Sequence, residues 1–430
     1  MAISFALFGE NEYAMVLPSY LYYLALLAVI WLLMRRLAAQ LTANLALLFL
    51  ITMPLMAIQS TIANIDIVES FFLFLGFAFY LKATNSETPL RWAFLSGACV
   101  GLAFLTRETA IFIIPFYGLL FLFGFGMHRL HYFAVGFGFF AVWAVELLYL
   151  GIMTGDPLYR FNISLNHDSS IDRSIDVAGN MIIHPAIDPL LVLLINQEFM
   201  LLFWLAIPSG LWLGFSQSIS AEQRRFIRLI SLFGVVWFLC VAAATTLLPL
   251  NPRYFMPTAI SACIILVLAI QQISFPVLRN TLIAALICTN LVGIMIENKA
   301  PLFGERTLVA LADAYEEDVY TDPMSRYRAN MLLRWKGRAE QVRGAPPVRG
   351  QLFFYNPGKV ESPNRLMDAS QQQQYTPNEN WTLISEFQAK PDPVIAIVER
   401  IGFHNVMPKK IWNRLRYRHP DVRLYRIPAE

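Results

Sequence analysis

The sequence predicts a polytopic α-helical membrane protein with a small exterior α/β domain at its C-terminal end. Three observations support this prediction. Apolar runs long enough to cross a bilayer recur through the first 298 residues, the basic residues favour one set of the loops between these runs, and the composition changes sharply after residue 298. Hydrophobic residues make up 57% of the chain and the mean hydropathy is +0.51, which excludes an ordinary soluble protein.

The apolar runs predict about ten membrane spans. A helix needs about 20 consecutive apolar residues to cross the hydrocarbon core of a bilayer. Ten stretches meet this requirement, and they cover approximately 13–34, 38–60, 65–83, 90–106, 109–126, 129–153, 189–215, 226–248, 255–275 and 278–297.

The basic residues orient these spans. Lys and Arg near span ends favour the cytoplasmic side of a membrane. One set of loops carries nine of them: Arg35, Arg36, Lys82, Arg91, Arg129, Arg224, Arg225, Arg228 and Arg279. The other set carries four: Arg107, Arg160, Arg173 and Arg253. The first set is therefore predicted to be cytoplasmic, which places the N-terminus and everything after residue 298 outside, in a periplasm or an equivalent lumen.

The composition divides the chain into a transmembrane domain, 1–298, and an exterior soluble domain, 299–430. Leu308–Tyr315 and Ser325–Arg334 have helical periodicity. Strand-like runs cover Asp318–Thr321, Gly350–Tyr355 and Pro393–Val398. Helices that alternate with strands indicate an α/β domain. The sequence shows no nucleic-acid-binding motif.

Two carboxylates mark the exterior start of the third span. Asp66 and Glu69 are three residues apart, which places both on one face of a helix. Ionisable groups at this depth usually face a cavity or a partner, so we predict a site role. The alternative is that Asp66, with help from Asn64, only caps the helix.

Three further exterior residues suit an anionic lipid headgroup. Arg107 lies in a short polar break between two spans, and Arg253 and Tyr254 lie between two prolines at the start of another span. The planar guanidinium of arginine can donate two hydrogen bonds to one phosphate. The alternatives are a local ion pair at Arg107 and interfacial anchoring of a helix end by Arg253 and Tyr254.

The remaining exterior loop, 154–188, is rich in acidic residues and histidine. His167 and Asp168 are adjacent there and are predicted to belong to an acceptor loop; a solvated loop is the alternative. Glu146 and Glu198 lie inside predicted spans, where they either serve function or pair with partners within the bundle.

Four stretches, taken in order, resemble the GT-C membrane glycosyltransferases that use polyprenyl-phosphate-linked sugars. The resemblance is to the family of protein O-mannosyltransferases and the lipid A aminoarabinose transferase, which is glycosyltransferase family 39-like. The stretches are FALFGENEYAMVLPS (5–19), NIDIVESFFLFL (64–75), GLAFLTRETAIFIIP (101–115) and NPRYFMPTAI (251–260).

The resemblance implies transfer of a sugar from a polyprenyl-phosphate donor to a glycan, lipid or protein acceptor at the exterior face of a bacterial inner membrane. By their physical roles, Asp66 and Glu69 are predicted as the catalytic carboxylates, with Asp66 orienting the acceptor or a bound cation and Glu69 supporting it. Arg107 and Arg253 are predicted to contact the donor phosphate, with Tyr254 hydrogen-bonded nearby. A divalent cation is compatible with the resemblance but not required by it.

The chain departs from the family pattern at its start. The family's first span and the acidic loop that follows it, which usually carries the general base, would lie upstream of Met1, so we expect one further span there. If that acid is absent from the protein, the alternative is a non-catalytic family member. A lipid or solute transporter is a second alternative, but paired repeats of the kind typical of transporters are not evident between 1–150 and 151–298.

Overall fold

The structure is a computed structural model, and it forms two compact units. It describes residues 1–167, 184, 186–216, 219–246, 248, 250–297, 302–361, 369–389, 393–416 and 420–429. The first unit comprises residues 15–297, and the second comprises 298–430 together with 2–14.

The first unit is helical. Its helices are α2 (Glu12–Leu37), α3 (Gln40–Thr52), α4 (Pro54–Gln59), α5 (Ile65–Ala83), α6 (Pro89–Thr106), α7 (Ile114–Phe123), α8 (Arg129–Thr154), α9 (Tyr159–His167), α10 (Asp188–Ile195), α11 (Leu202–Phe215), α12 (Ala221–Ala243), α13 (Met256–Gln271) and α14 (Pro276–Glu297); α1 (Ala2–Phe8) precedes them and belongs to the second unit. Short 3-10 turns cover Glu108–Ile113, Ala244–Thr246 and Pro252–Phe255.

Six helices of the described residues are long and apolar enough to cross a membrane: α2, α6, α8, α12, α14, and α13 with the turn before it. The other four predicted spans also contain helices. The 38–60 range breaks at Pro54, which has no N–H to continue α3, and the 109–126 range begins as a 3-10 turn. Asn196–Leu201 interrupts the 189–215 range, and α5 has the length but carries three charged side chains. The chain is therefore a multi-pass helical membrane protein.

Small residues bring α6 and α8 close together. A Cβ atom at Gly97 would lie 1.8 Å from the Val135 carbonyl oxygen, and one at Gly138 would lie 2.1 Å from the Phe94 carbonyl oxygen. Small residues at a helix interface allow the backbones to approach closely in a membrane, where water does not drive association. The helix pair α5–α6, whose ends carry several of the predicted site residues, is thus held on one side by a tight α6–α8 contact.

The second unit contains a five-stranded sheet flanked by helices. After α1, its elements are α15 (Phe303–Ala314), β1 (Val319–Thr321), α16 (Pro323–Trp335), β2 (Val342–Gly344), β3 (Leu352–Tyr355), α17 (Pro357–Val360), α18 (Ala369–Tyr375), β4 (Thr382–Phe387), α19 (Pro393–Arg400), α20 (Lys409–Leu415) and β5 (Val422–Arg426). The strand order is β2-β1-β3-β5-β4, with β2, β1 and β3 parallel and β5 antiparallel to both its neighbours.

One predicted strand of this unit is wrong. The run Pro393–Val398 forms part of α19 rather than a strand. Ile395 and Val398 are buried while Ile397 is 56% exposed, a three-residue spacing that places the apolar face on one side of a helix. The two predicted helices and the other two predicted strands are present in α15, α16, β1 and β3.

Candidate functional site

Helix α5 begins with a polar cap that fixes its first turn. The Asn64 side chain accepts a hydrogen bond from the Asp66 amide at 2.6 Å, and the Asn64 amide donates to the Ser19 hydroxyl at 2.9 Å. Asn64 therefore caps the helix, and Asp66 is free to point elsewhere. Asp66 and Glu69 are only 2% and 3% exposed, so both carboxylates are inside the first unit rather than in solvent.

Arg107 ends α6 and turns its side chain toward α5. Its extended backbone, with φ −159° and ψ 139°, terminates the helix. The guanidinium Nη1 forms an ion pair with Asp66 Oδ1, and the guanidinium carbon lies 4.3 Å from the centre of the Tyr254 ring. Arg107 is 9% exposed, so this ion pair is buried.

Arg253 reaches the same carboxylate from the turn before α13. Its Nε lies 3.7 Å from Asp66 Oδ2, and its guanidinium carbon lies 5.4 Å from the Tyr254 ring centre. The Asn251 side chain caps this turn by accepting from the Arg253 amide at 3.1 Å, and Trp237 Nε1 donates to the Tyr254 carbonyl oxygen at 2.7 Å. Two hydrogen bonds thus fix the turn, one from its own amide to the Asn251 side chain and one from Trp237 to its carbonyl oxygen.

We call Asp66, Arg107, Arg253 and Tyr254 the arginine cluster. These residues come from the start of α5, the end of α6 and the turn before α13. Two guanidinium groups face one carboxylate, which leaves an excess of one positive charge. The Arg253 side chain is 41% exposed, whereas Arg107 and Asp66 are buried, so the excess charge is accessible at Arg253.

Glu69 lies next to this cluster but has a different partner. Thr109, in the 3-10 turn after Arg107, donates its hydroxyl to Glu69 Oε1 at 2.6 Å. The bond joins α5 to the segment that carries Arg107. Four of the five predicted catalytic and phosphate-binding residues thus form one cluster, and Glu69 is joined to it through Thr109.

A second charged cluster begins one residue after Arg107. Arg160 Nε lies 3.2 Å from Glu108 Oε1, and Arg160 Nη1 lies 3.1 Å from Glu146 Oε1. Arg160 also donates to the Leu105 carbonyl oxygen at 2.8 Å, and the Ser164 hydroxyl donates to Glu108 at 2.9 Å. We call Glu108, Glu146 and Arg160 the acidic cluster, because two carboxylates share one guanidinium. Sequence reasoning identified Glu146 but not its partner, which lies 14 positions further along the chain.

Glu198 lies in the segment between α10 and α11. It lies three residues after the end of α10, a helix that contacts the turn carrying Arg253. Within the described part of the chain, the buried Glu198 Oε2 has no hydrogen-bond donor. The expectation that Glu198 lies inside a continuous span is wrong, because the helix is interrupted at this point.

The predicted acceptor loop is covered only in part. His167 is the last residue of α9, and Asp168 lies outside the described residues. The prediction that His167 and Asp168 belong to an acceptor loop therefore stays a prediction.

The geometry does not fit a cation at Asp66. Among the described residues, no three His, Cys, Asp or Glu side chains gather into a group that could hold a metal ion. A cation at Asp66 would also meet two guanidinium groups that already neutralise the carboxylate. We therefore derive no step through a metal.

An apolar groove of about 470 Å³ lies along α11, α12 and α13. Its lining includes Phe203, Gly210, Phe238 and Ile265. The Phe238 ring packs against Phe255, the residue next to Tyr254, with ring centroids 5.9 Å apart. The groove thus runs through apolar surface close to the turn that carries Arg253. We call it the α11–α13 groove.

Comparisons with known proteins show what the sequence and the fold of this chain are similar to. The family model described as dolichyl-phosphate-mannose-protein mannosyltransferase matches residues 1–149. A search of curated protein sequences gave no significant match.

Several solved structures have the same fold. ArnT from Cupriavidus metallidurans bound to undecaprenyl phosphate aligns with a TM-score of 0.55 and 14% identity, over 85% of this chain and 83% of that chain. The apo state of ArnT from the same organism aligns with a TM-score of 0.54 and 13% identity, over 89% of this chain and 84% of that chain. The Archaeoglobus fulgidus oligosaccharyltransferase in complex with Zn and sulfate aligns with a TM-score of 0.52 and 12% identity, over 90% of this chain and 62% of that chain.

At these identities, the structural likeness shows the fold. The four sequence stretches predicted a resemblance to the mannosyltransferase and aminoarabinose transferase family, and the comparisons confirm that resemblance. The chain is therefore a multi-pass helical membrane protein with the GT-C fold, which it shares with ArnT and the archaeal oligosaccharyltransferase, and its first 149 residues match the mannosyltransferase family model.

Proposed function

We propose that the chain transfers a sugar from a polyprenyl-phosphate donor to an acceptor at the exterior face of a bacterial inner membrane. The observation that carries this proposal is the convergence of Arg107 and Arg253 on one buried carboxylate, with Arg253 left 41% exposed. The α/β unit then lies in the periplasm, on the face that carries few basic residues.

The arginine cluster suits a phosphate because its net charge is positive. Asp66 neutralises only one of the two guanidinium groups, and Arg253 remains open to a ligand. Charge-assisted hydrogen bonds from arginine to phosphate are among the stronger polar contacts in proteins, and a fixed donor costs little reorganisation during a reaction. Tyr254 stacks against both arginines and helps to fix their planes.

The proposed reaction is a displacement at the anomeric carbon of the donor sugar. An acceptor oxygen forms a bond to that carbon, and the bond from the carbon to the phosphate oxygen breaks. Both electrons of the broken bond leave with the polyprenyl phosphate. Arg253 and Arg107 stabilise the negative charge that develops on this phosphate. The proton of the acceptor hydroxyl passes to a carboxylate.

The contacts of the three nearby carboxylates suggest their roles. Asp66 is engaged by two arginines and Glu69 accepts from Thr109. We therefore assign Asp66 as a positioning residue that aligns the arginines, and Glu69 as its support through Thr109. Glu198, whose Oε2 has no donor among the described residues, is the carboxylate that we assign to the proton.

The α11–α13 groove supplies a path for the isoprenoid chain of the donor. Its lining is mostly apolar, and it adjoins the arginine cluster through Phe238 and Phe255. Gly210 opens into it, because a Cβ atom there would meet only Ile265, at 3.6 Å. Gly214, one turn further along α11, would meet nothing within 4 Å and does not line the groove.

The proposal is tested by transfer from a pool of polyprenyl-phosphate sugars in membranes that carry the chain. We expect Arg253→Ala to lower transfer by roughly 10²–10³-fold, the range seen when one charge-stabilising donor is removed. Arg279→Ala is the matched control, because this arginine lies on α14 outside both charged clusters. Binding of undecaprenyl phosphate is measured in parallel.

Three outcomes are informative. Loss of transfer and of lipid binding in Arg253→Ala, but not in Arg279→Ala, supports the proposal. Lipid binding without transfer from any donor would indicate a non-catalytic relative. Equal transfer by all three proteins would remove the arginine cluster from the reaction.

The groove has its own test. Gly210→Leu would fill the α11–α13 groove, whereas Gly214→Leu places the same side chain outside it. We expect Gly210→Leu to raise the KM for a long-chain donor about fivefold, a loss of ~1 kcal/mol in lipid contacts. A similar KM for both variants would place the isoprenoid chain elsewhere.

A further inference from the structure

The second compact unit contains a groove of about 480 Å³ that the proposed donor site does not use. One wall is the turn between α1 and α2, and the other is formed by α15 and α16. The turn is fixed by its own polar contacts: Asn11 Nδ2 donates to the Phe8 carbonyl oxygen at 2.8 Å, and the Ala14 amide donates to Asn11 Oδ1 at 2.9 Å. The groove is therefore built between ordered segments of this unit.

Two aromatic rings lie along the groove. Trp335 ends α16 and is partly exposed, and Phe5 contacts its ring edge-to-face with centroids 6.5 Å apart. Tyr13 lies on the opposite wall and is 89% exposed. The apolar surface between them includes Val309 and Leu332. A large exposed ring such as Tyr13 provides apolar contact area that folding of this unit does not use.

Polar side chains surround these rings. Glu10 and Glu12 contribute two negative charges, and Arg306 and Lys336 contribute two positive charges, so the formal charges at the groove cancel. Glu12 and Arg306 form an ion pair at 2.7 Å, and Arg306 is 63% exposed. The groove thus offers both hydrogen-bond donors and acceptors at its rim without selecting for a charged ligand.

We propose that this groove binds an uncharged saccharide. The C–H face of a pyranose ring is apolar and packs on an aromatic ring, while its hydroxyl groups need donors and acceptors around the edge. Trp335 and Tyr13 supply the aromatic rings, and the four charged side chains supply the hydrogen-bond donors and acceptors. The volume lies within the range of small-molecule sites, and an aromatic lining with a few polar groups is their usual composition.

The experiment uses the full chain in lipid nanodiscs and saturation-transfer NMR. The probes are cellobiose, N,N′-diacetylchitobiose and mannobiose, with sorbitol as a polyol that has hydroxyl groups but no ring face. Trp335→Ala and Tyr13→Ala remove one ring each. Tyr327→Ala is the matched control, because this tyrosine is 77% exposed on α16 outside the groove.

We expect at least one disaccharide to give saturation transfer that sorbitol does not give. Its affinity should fall about tenfold in Trp335→Ala and in Tyr13→Ala, and remain unchanged in Tyr327→Ala. Tyr13 is almost fully exposed, so its variant keeps the test valid if Trp335→Ala fails to fold. Binding by none of the disaccharides, or equal binding by all variants, would overturn the proposal.

Arg253→Ala separates this inference from the proposed function. This variant should bind the disaccharide as tightly as the unaltered chain, because Arg253 lies in the first unit. Loss of transfer in Arg253→Ala with saccharide binding retained is the result expected when both proposals hold. Saccharide binding by an unaltered chain that transfers sugar from no donor would remove the proposed function alone.

Discussion

Arg107 of the arginine cluster and Glu108 of the acidic cluster are adjacent in the chain, yet the two clusters have opposite net formal charges. Arg107 pairs with Asp66, and the next residue, Glu108, pairs with Arg160. The first cluster has two arginines and one carboxylate, and the second has one arginine and two carboxylates. The side chains of Arg107 and Glu108 therefore lie in two different electrostatic environments, although the two residues are neighbours in the polar break after α6.

The ion pairs that Arg107 and Glu108 form also differ in burial. Asp66 and Arg107 have side-chain exposures of 3% and 11%, whereas Glu108 and Arg160 have 34% and 22%. A buried charge that loses its partner is costly, while a partly exposed ion pair contributes little because water screens it. Stability should therefore depend more on the Asp66–Arg107 pair than on the Glu108–Arg160 pair, and the following predictions test this difference.

The largest effect is expected for Asp66→Asn. This substitution leaves two guanidinium groups without their carboxylate, and we expect a loss of about 3–5 kcal/mol in the free energy of unfolding. Glu108→Gln is the counterpart in the acidic cluster, where Glu146 still pairs with Arg160, and should cost less than about 1 kcal/mol because the Glu108 side chain is 34% exposed. Thermal unfolding of both variants in nanodiscs measures the difference. Equal losses would contradict the contrast in burial.

Much of the arginine cluster was predictable from sequence. Charged residues at span ends are rare enough to single out, and Asp66, Arg107, Arg253 and Tyr254 were predicted together as site residues. Their pairing was not predictable, because it depends on how α5, α6 and the turn before α13 pack. Sequence reasoning named Asp66 as a catalytic carboxylate that orients the acceptor or a cation, and it did not foresee that two arginines contact this side chain.

The errors in the fold have local causes. Pro54 is a visible helix breaker inside the 38–60 range, and treating that range as one apolar run concealed it. The run Pro393–Val398 is short and rich in β-branched residues, so its composition favoured a strand. Only its burial pattern, with Ile395 and Val398 inside and Ile397 outside, reveals the helical period.

The second prediction compares two hydroxyl groups that donate to glutamates. Thr109 is 7% exposed and donates to Glu69, and Ser164 is exposed and donates to Glu108. Thr109→Val keeps the shape of the side chain but leaves a buried carboxylate oxygen unpaired, which should cost about 2 kcal/mol. Ser164→Ala should cost less than about 0.5 kcal/mol, because water replaces the lost hydroxyl. Thermal unfolding again measures both; a larger loss in Ser164→Ala would reverse the comparison.

The third prediction has the smallest free-energy effect and tests geometry rather than charge. Arg253→Lys keeps the positive charge of the arginine cluster but removes the planar fork that can grip a phosphate with two hydrogen bonds. We expect transfer from a polyprenyl-phosphate donor to fall about tenfold, which corresponds to ~1.4 kcal/mol. Initial rates at saturating acceptor measure this change.

Arg160→Lys is the matched substitution in the acidic cluster. A lysine there can still neutralise Glu108 or Glu146 as a point charge, and the proposed donor does not contact this cluster, so transfer should stay within about twofold of the unaltered chain. A tenfold loss in both variants would mean that the two clusters form one catalytic unit. A loss in Arg160→Lys alone would move the phosphate from the arginine cluster to Arg160, and Arg253 would then be a structural residue.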